Sequence, residues 1–170
     1  KEAAAGGAAI LAVCGGYQLL GRSYRGRGGE VLPGVGLFPH ETVAGERRMI
    51  GDVLLECELE PGGKRLLAGF ENHAGRTVLD PGAEALGRVV AGFGNDGESG
   101  LEGCRLANAI GTYLHGPLLP RNPRLADWLL ARAALHATGK LPSFEPLHDE
   151  LEREAHAVAS ARARSRGGRL

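Results

Sequence analysis

Residues 9–13, Ala-Ile-Leu-Ala-Val, form a short unbroken apolar run. That pattern predicts a strand buried on both faces, as in a parallel sheet. Cys14-Gly15-Gly16 follows as a sharp turn, and Tyr17-Gln18-Leu19-Leu20 opens a short helical stretch ending near Gly21. Strand, tight turn and helix start together describe a nucleophile elbow. Residues 25–39 hold five glycines and two prolines and predict a loop-rich connection. Strand-like segments follow at 51–59, 77–79 and 88–91, broken by Pro61-Gly62-Gly63, Asp80-Pro81-Gly82 and the glycine-rich stretch 92–100. Residues 107–114 predict one more strand, which leads directly into His115-Gly116-Pro117.

The spacing changes to helical after residue 121. Asn122 is a good N-cap with Pro123 at the first helical position, Leu125, Trp128, Leu129 and Leu135 supply an apolar face, and Gly139 is a stop, so a helix is predicted over 122–138. A second helix is predicted over 147–164, with Leu147, Leu151, Ala155, Val158 and Ala159 as its apolar stripe. The tail from Arg162 to Arg169 is basic and reads as a frayed, solvated end. No repeat and no linker divides the chain, so residues 1–170 are read as one domain of α/β class with a mostly parallel central sheet flanked by helices.

Composition narrows the function classes. Twenty Lys+Arg balance 20 Asp+Glu, so no net field draws the chain to nucleic acid or an anionic membrane. No apolar stretch approaches the roughly 18 residues of a membrane span. Glycine, 28 of 170 residues, is in excess, which fits many turns and close backbone approaches. Cys14, Cys57 and Cys104 have no metal-ligand spacing and cannot build a multi-bridge framework; with no signal peptide or lipidation motif, the expectation is a reducing, cytoplasmic setting and no bound metal.

Cys14 carries the most chemical information. At the tip of such a turn a thiol is exposed at the carboxyl end of a sheet, and the flanking glycines leave the Gly15 amide free to stabilise an oxyanion. An acyl-thioester mechanism follows. A small buried cysteine at a strand end is the commoner fate of this residue type, but strand, Cys-Gly-Gly and helix start outweigh it here. The base should be a histidine near in space and distant in sequence. His136, His148 and His156 fall within helical patterns and His40 lies in a loop, so these four read as surface or packing residues. His115 ends an apolar run, at the sheet edge where Cys14 sits if both strands are parallel, and is the favoured base. His73, in Glu71-Asn72-His73-Ala74-Gly75, is the rival, with neighbours that read as a substrate-binding turn. Gly92-Phe-Gly-Asn-Asp-Gly97 matches a dinucleotide fingerprint but lacks the helix after it and reads as a hairpin loop; no P-loop occurs.

Val13-Cys14-Gly15-Gly16-Tyr17-Gln18-Leu19-Leu20-Gly21, with His115 following 101 residues later (115 − 14), resembles a class I, triad-type glutamine amidotransferase of the subgroup that includes cobyric acid synthase. Arg48-Met-Ile-Gly51, residues 69–77 and residues 111–123 are similar to the glutaminase subunits (GatD) of lipid II isoglutaminyl synthases. The resemblance implies that Cys14 attacks the side-chain amide of L-glutamine, that His115 moves the proton, and that Arg48 pairs with the α-carboxylate, with Gln18, Asn72 and His73 near the substrate. It implies no cofactor in this chain, with ATP and Mg on a MurT-like Mur ligase partner that receives the ammonia. That partner would form a heterodimer with this subunit and convert D-glutamate of the lipid II stem peptide to D-isoglutamine. Alternatives left open are a cobyrinic or cobyric acid amidotransferase domain and a non-catalytic binding or scaffold subunit. Position 117, where most class I domains carry a glutamate that orients the histidine, is proline. With the nucleophile at residue 14, the βα units that precede the elbow in that family, and their second oxyanion donor, are expected to be missing.

Overall fold

The computed structural model describes residues 1–60, 63–145 and 147–166. Pro61 and Gly62 of the expected turn, and the basic tail beyond Arg166, lie outside the described residues. In chain order the elements are α1 (Glu2–Ala5), β1 (Ile10–Val13), α2 (Gly15–Leu20), β2 (Ser23–Arg25), β3 (Val31–Pro33), β4 (His40–Glu58) and β5 (Lys64–Leu79). There follow β6 (Gly87–Ala91), β7 (Leu101–Glu102), β8 (Cys104–Leu106), β9 (Ala109–Thr112), α3 (Leu118–Arg121), α4 (Pro123–Thr138) and α5 (Glu150–Arg166). The class is α/β, as the hydrophobic pattern implies.

A three-stranded sheet has the order β1-β9-β8, with β1 and β9 parallel from Ile10↔Ala109 to Val13↔Thr112. The larger sheet runs β3-β2-β4-β6-β7, and β5 pairs with β4. Parallel pairing, expected through most of the central sheet, is confined among the described residues to β1/β9 and β2/β4. The other pairs are antiparallel. Connections such as the two residues between β8 and β9 are far too short for the crossover that parallel strands need. Within the 25–39 segment expected to be loop lies the short strand β3, paired with β2, which ends at its first residue.

The largest departure is the β4–β5 hairpin, 19 and 16 residues long, of which the apolar pattern marks only 51–59 and 77–79. Glu71 to Gly75, expected as a turn, are interior residues of β5. Polar residues on the buried face, His40, Thr42, Glu71, His73 and Thr77, erase the alternation that would mark these strands. An isolated bridge, Phe70↔His115, ties β5 to the segment leaving β9.

The core follows from the strand faces. Leu11 and Val13 pack on one side of β1 with Val53, Leu55, Ile110 and Trp128, while Ile10 and Ala12 pack on the other with Tyr17, Phe38 and Tyr113. Asn122, Pro123 and Gly139 bound α4 as expected, the glycine in the left-handed region at φ 71°. Of the expected apolar stripe, however, Leu147, which precedes α5, and Leu151 and Val158 within it face solvent. The contact with the sheet is made by Ala159 of that stripe together with the buried Ala163, against Leu54, Ala68 and Ala91, because a small-residue face lets the helix approach β4 and β5 closely.

Candidate active site

Cys14 leaves β1 with φ 52° and ψ −110°, a backbone conformation that a non-glycine residue holds only under constraint. The constraint is visible: its N–H donates to the Thr112 carbonyl of β9 at 2.9 Å, and its carbonyl accepts from Gln18 N–H at 3.0 Å in the first turn of α2. The thiol is partly exposed. Gly15 opens α2, so its N–H lies ahead of that first intrahelical bond, and space around its Cα is open.

His115 stands just past the end of β9, adjacent and parallel to β1. Its backbone N–H donates to the Phe70 carbonyl at 2.7 Å, and its ring Nδ1 lies 3.0 Å from the same oxygen. A carbonyl can only accept, so the contact fits the tautomer protonated at Nδ1 and leaves Nε2 as the free lone pair. The Phe70 carbonyl is thus the partner of the ring, and Pro117 offers no side-chain acceptor.

Gln18 of α2 donates from Nε2 to the Tyr113 hydroxyl at 3.0 Å, which also bonds Thr77 at 2.7 Å. Burial pushes the Tyr113 hydroxyl up to about 12 and keeps it neutral. His73 lies beneath this group: only 2% exposed, its ring is stacked at 3.5 Å on Tyr113, and Nδ1 is 2.9 Å from the Gly75 carbonyl. It therefore faces the interior, on the opposite side of β5 from Asn72. His40 is a packing residue against Tyr17 and Phe38.

Arg48 and Asn72 meet on the other face of the hairpin. Arg48 donates from Nε to Asn72 Oδ1 and from Nη2 to the Asn72 carbonyl, both at 2.8 Å. The rest of the guanidinium edge stays exposed. Between Ala44 and Met49 the β4–β5 register shifts, and residues 45–48 lie opposite Ala74 alone. Arg27 caps the carbonyls of Gly45 and Glu46, and Arg76 donates to the Arg47 carbonyl at 2.9 Å, so the bulge that carries Arg48 is fixed. Asn72 is two residues from Phe70, about 7 Å along the strand, so the pair sits a short step from the carbonyl that holds His115.

Phe70, Tyr113 and Arg76 are not marked in the sequence: one acts through its backbone, and the others lie in runs read as core or turn. The Gly92–Gly97 loop is the β6–β7 hairpin connection, and the Phe93 and Gly94 N–H groups that could face a phosphate donate to the buried Glu71 carboxylate. Among the described residues no cluster of three or more metal-ligand side chains is present, and no helix is long and apolar enough to cross a membrane.

The family model for CobB/CobQ-like glutamine amidotransferase domains matches residues 1–123. Over 96% of its length the chain is 40% identical to the lipid II isoglutaminyl synthase (glutamine-hydrolyzing) subunit GatD of Staphylococcus aureus strain N315. It is 39% identical over 89% of its length to the same subunit of Streptococcus pneumoniae. Against cobyric acid synthase of Chloroflexus aurantiacus the figure is 31%, over 90% of the chain and 32% of that protein. The chain spans 64% and 59% of the two GatD subunits.

Proposed function

Because the chain belongs to the CobB/CobQ-like glutamine amidotransferase family, we propose that it is a glutaminase subunit that hydrolyses L-glutamine and hands the ammonia to a Mur-ligase-type partner. The observation that carries this reading is that Cys14, at positive φ, directly follows β1 while His115 lies three residues past the end of β9, the strand paired in parallel with it. In the reaction the Cys14 sulfur attacks the side-chain amide carbon of glutamine while His115 Nε2 takes the thiol proton. The oxyanion that forms is met by the Gly15 N–H, and the amide nitrogen leaves as ammonia with the proton from His115. Water, deprotonated by His115 Nε2, then attacks the thioester; glutamate departs and the proton returns from His115 to restore the thiol. Arg48, held by Asn72, turns its remaining N–H groups to the α-carboxylate as a planar fork.

The two relatives, both named as the GatD subunit of lipid II isoglutaminyl synthase, support lipid II as the route's destination; in this reading a MurT-like partner supplies ATP and Mg chemistry in the cytoplasm and amidates D-glutamate to D-isoglutamine. Cobyric acid synthase relatives make a corrinoid acceptor the second reading. The test is labelling with 6-diazo-5-oxo-norleucine, coupled to an ammonia assay with and without a Mur-ligase partner. Label should map to Cys14. Cys57 and Cys104 are buried, which pushes their thiols to about 11 and about 12 and leaves them unreactive. Label chiefly on either of those, or ammonia release that survives Cys14→Ser, would remove Cys14 as nucleophile. Stimulation by a corrinoid-amidating synthetase partner instead of the Mur ligase would decide for the second reading.

A further inference from the structure

Glu102 has no role in the chemistry above, yet it is fully buried, and no cation pairs with it among the described residues. It ends β7 in the larger sheet and points into the smaller one. Its carboxyl oxygens lie 3.0 and 3.1 Å from the Thr112 hydroxyl and 2.6 Å from the Tyr113 N–H. Thr112 is the residue that couples nucleophile to base. Its carbonyl accepts the Cys14 N–H, its side-chain oxygen accepts the Leu114 N–H at 3.1 Å, and His115 follows. Tyr113 in turn carries the hydroxyl that Gln18 meets. A buried carboxyl is costly where an apolar side chain would pack, so these contacts should do something that packing does not.

We propose that Glu102 is a positioning residue that holds the Thr112–Tyr113 strand end so that Cys14 and His115 face each other across β1 and β9. This rests on the glutaminase reading above. Burial, reinforced by the nearby Glu71, pushes the Glu102 carboxyl up to about 8, so near neutral pH the protonated acid is the main form. A neutral acid accepts from Tyr113 N–H with one oxygen and exchanges a proton bond with Thr112 through the other. Glutamine at this position repeats that pattern with its carbonyl and NH2, whereas methionine fills the volume and makes neither bond.

Glu102→Met in the full-length protein should therefore lower kcat for glutamine hydrolysis about tenfold or more while KM, set by Arg48 and Asn72, stays within about twofold. Glu102→Gln should retain most of kcat. Alkylation of Cys14 by iodoacetamide should slow in Glu102→Met toward the rate of His115→Ala. A folded Glu102→Met with wild-type kcat, or one in which KM rises instead, overturns the proposal. If Glu102→Met does not fold, Thr112→Val removes the hydroxyl alone and should show the same loss of kcat; wild-type kcat there, or failure of both variants to fold, makes Glu102 purely structural. A wild-type protein that releases no ammonia defeats the glutaminase reading, and the alkylation rates then still report whether Glu102 sets the pair.

Discussion

At the scale of a residue, the difference between Arg47 and Arg48 is one of what each guanidinium can hold. Arg48 spends Nε and one N–H of Nη2 on Asn72, which aims the remaining fork outward. Lysine at this position keeps the charge and loses both the anchor and the fork, so Arg48→Lys should lower kcat/KM for glutamine about tenfold or more, chiefly through KM. Arg47 contributes its backbone carbonyl to Arg76 while its side chain stays exposed, and Arg47→Lys should leave the kinetics near wild type. The opposite ranking in steady-state kinetics would shift the carboxylate site by one residue. His115→Ala should abolish ammonia release with the fold retained. His73→Ala acts from beneath, and should loosen the Tyr113–Gln18 group rather than remove a proton carrier.

At the scale of an element, Asn122 shows how a correct local reading can miss the energetics. It does begin α4, yet its side chain makes no cap bond. Its amide instead donates to the carbonyls of Ala68 and Leu118 and accepts the Ala68 N–H, so it docks the helix entry onto β5. Asn122→Ala would leave these groups buried and unpaired, and should cost about 2–4 kcal/mol in denaturant unfolding, more than the loss of an ordinary cap. Elements fixed by contiguous residues, namely β1, the elbow, β9 and α4, are legible in the sequence because apolar runs, glycines and caps act locally. The upper halves of β4 and β5 are not, because their inward positions are filled by hydrogen-bonded polar residues such as Thr42, Thr77 and His73. Cys14 and His115 were legible for the same local reasons; the carbonyl of Phe70 was not, since any residue type provides one.

At the scale of the whole molecule, two buried titrating groups give stability opposite slopes with pH. Glu102, raised from 4.5 to about 8 by burial, supports folding fully below about 4.5, and that support is lost as pH rises through about 8. His40, lowered from 6.5 to about 4 by burial and by Arg22, supports folding above about 6.5 and loses that support as pH falls through about 4. Thermal unfolding should therefore show a midpoint that declines between pH 6.5 and 8, and Glu102→Gln should remove that decline; an identical slope in the variant would show that Glu102 is not its source. The hairpin bulge bears on how much change in length the site tolerates. Four residues stand opposite Ala74 there, and the ladder resumes undisturbed at Met49↔His73 on one side and Ala44↔Gly75 on the other. Insertions or deletions among residues 45–48 are thus absorbed without moving either the core strands or the Phe70–His115 bridge. Substrate recognition on this scaffold can drift by changes in loop length while the chemistry stays in place.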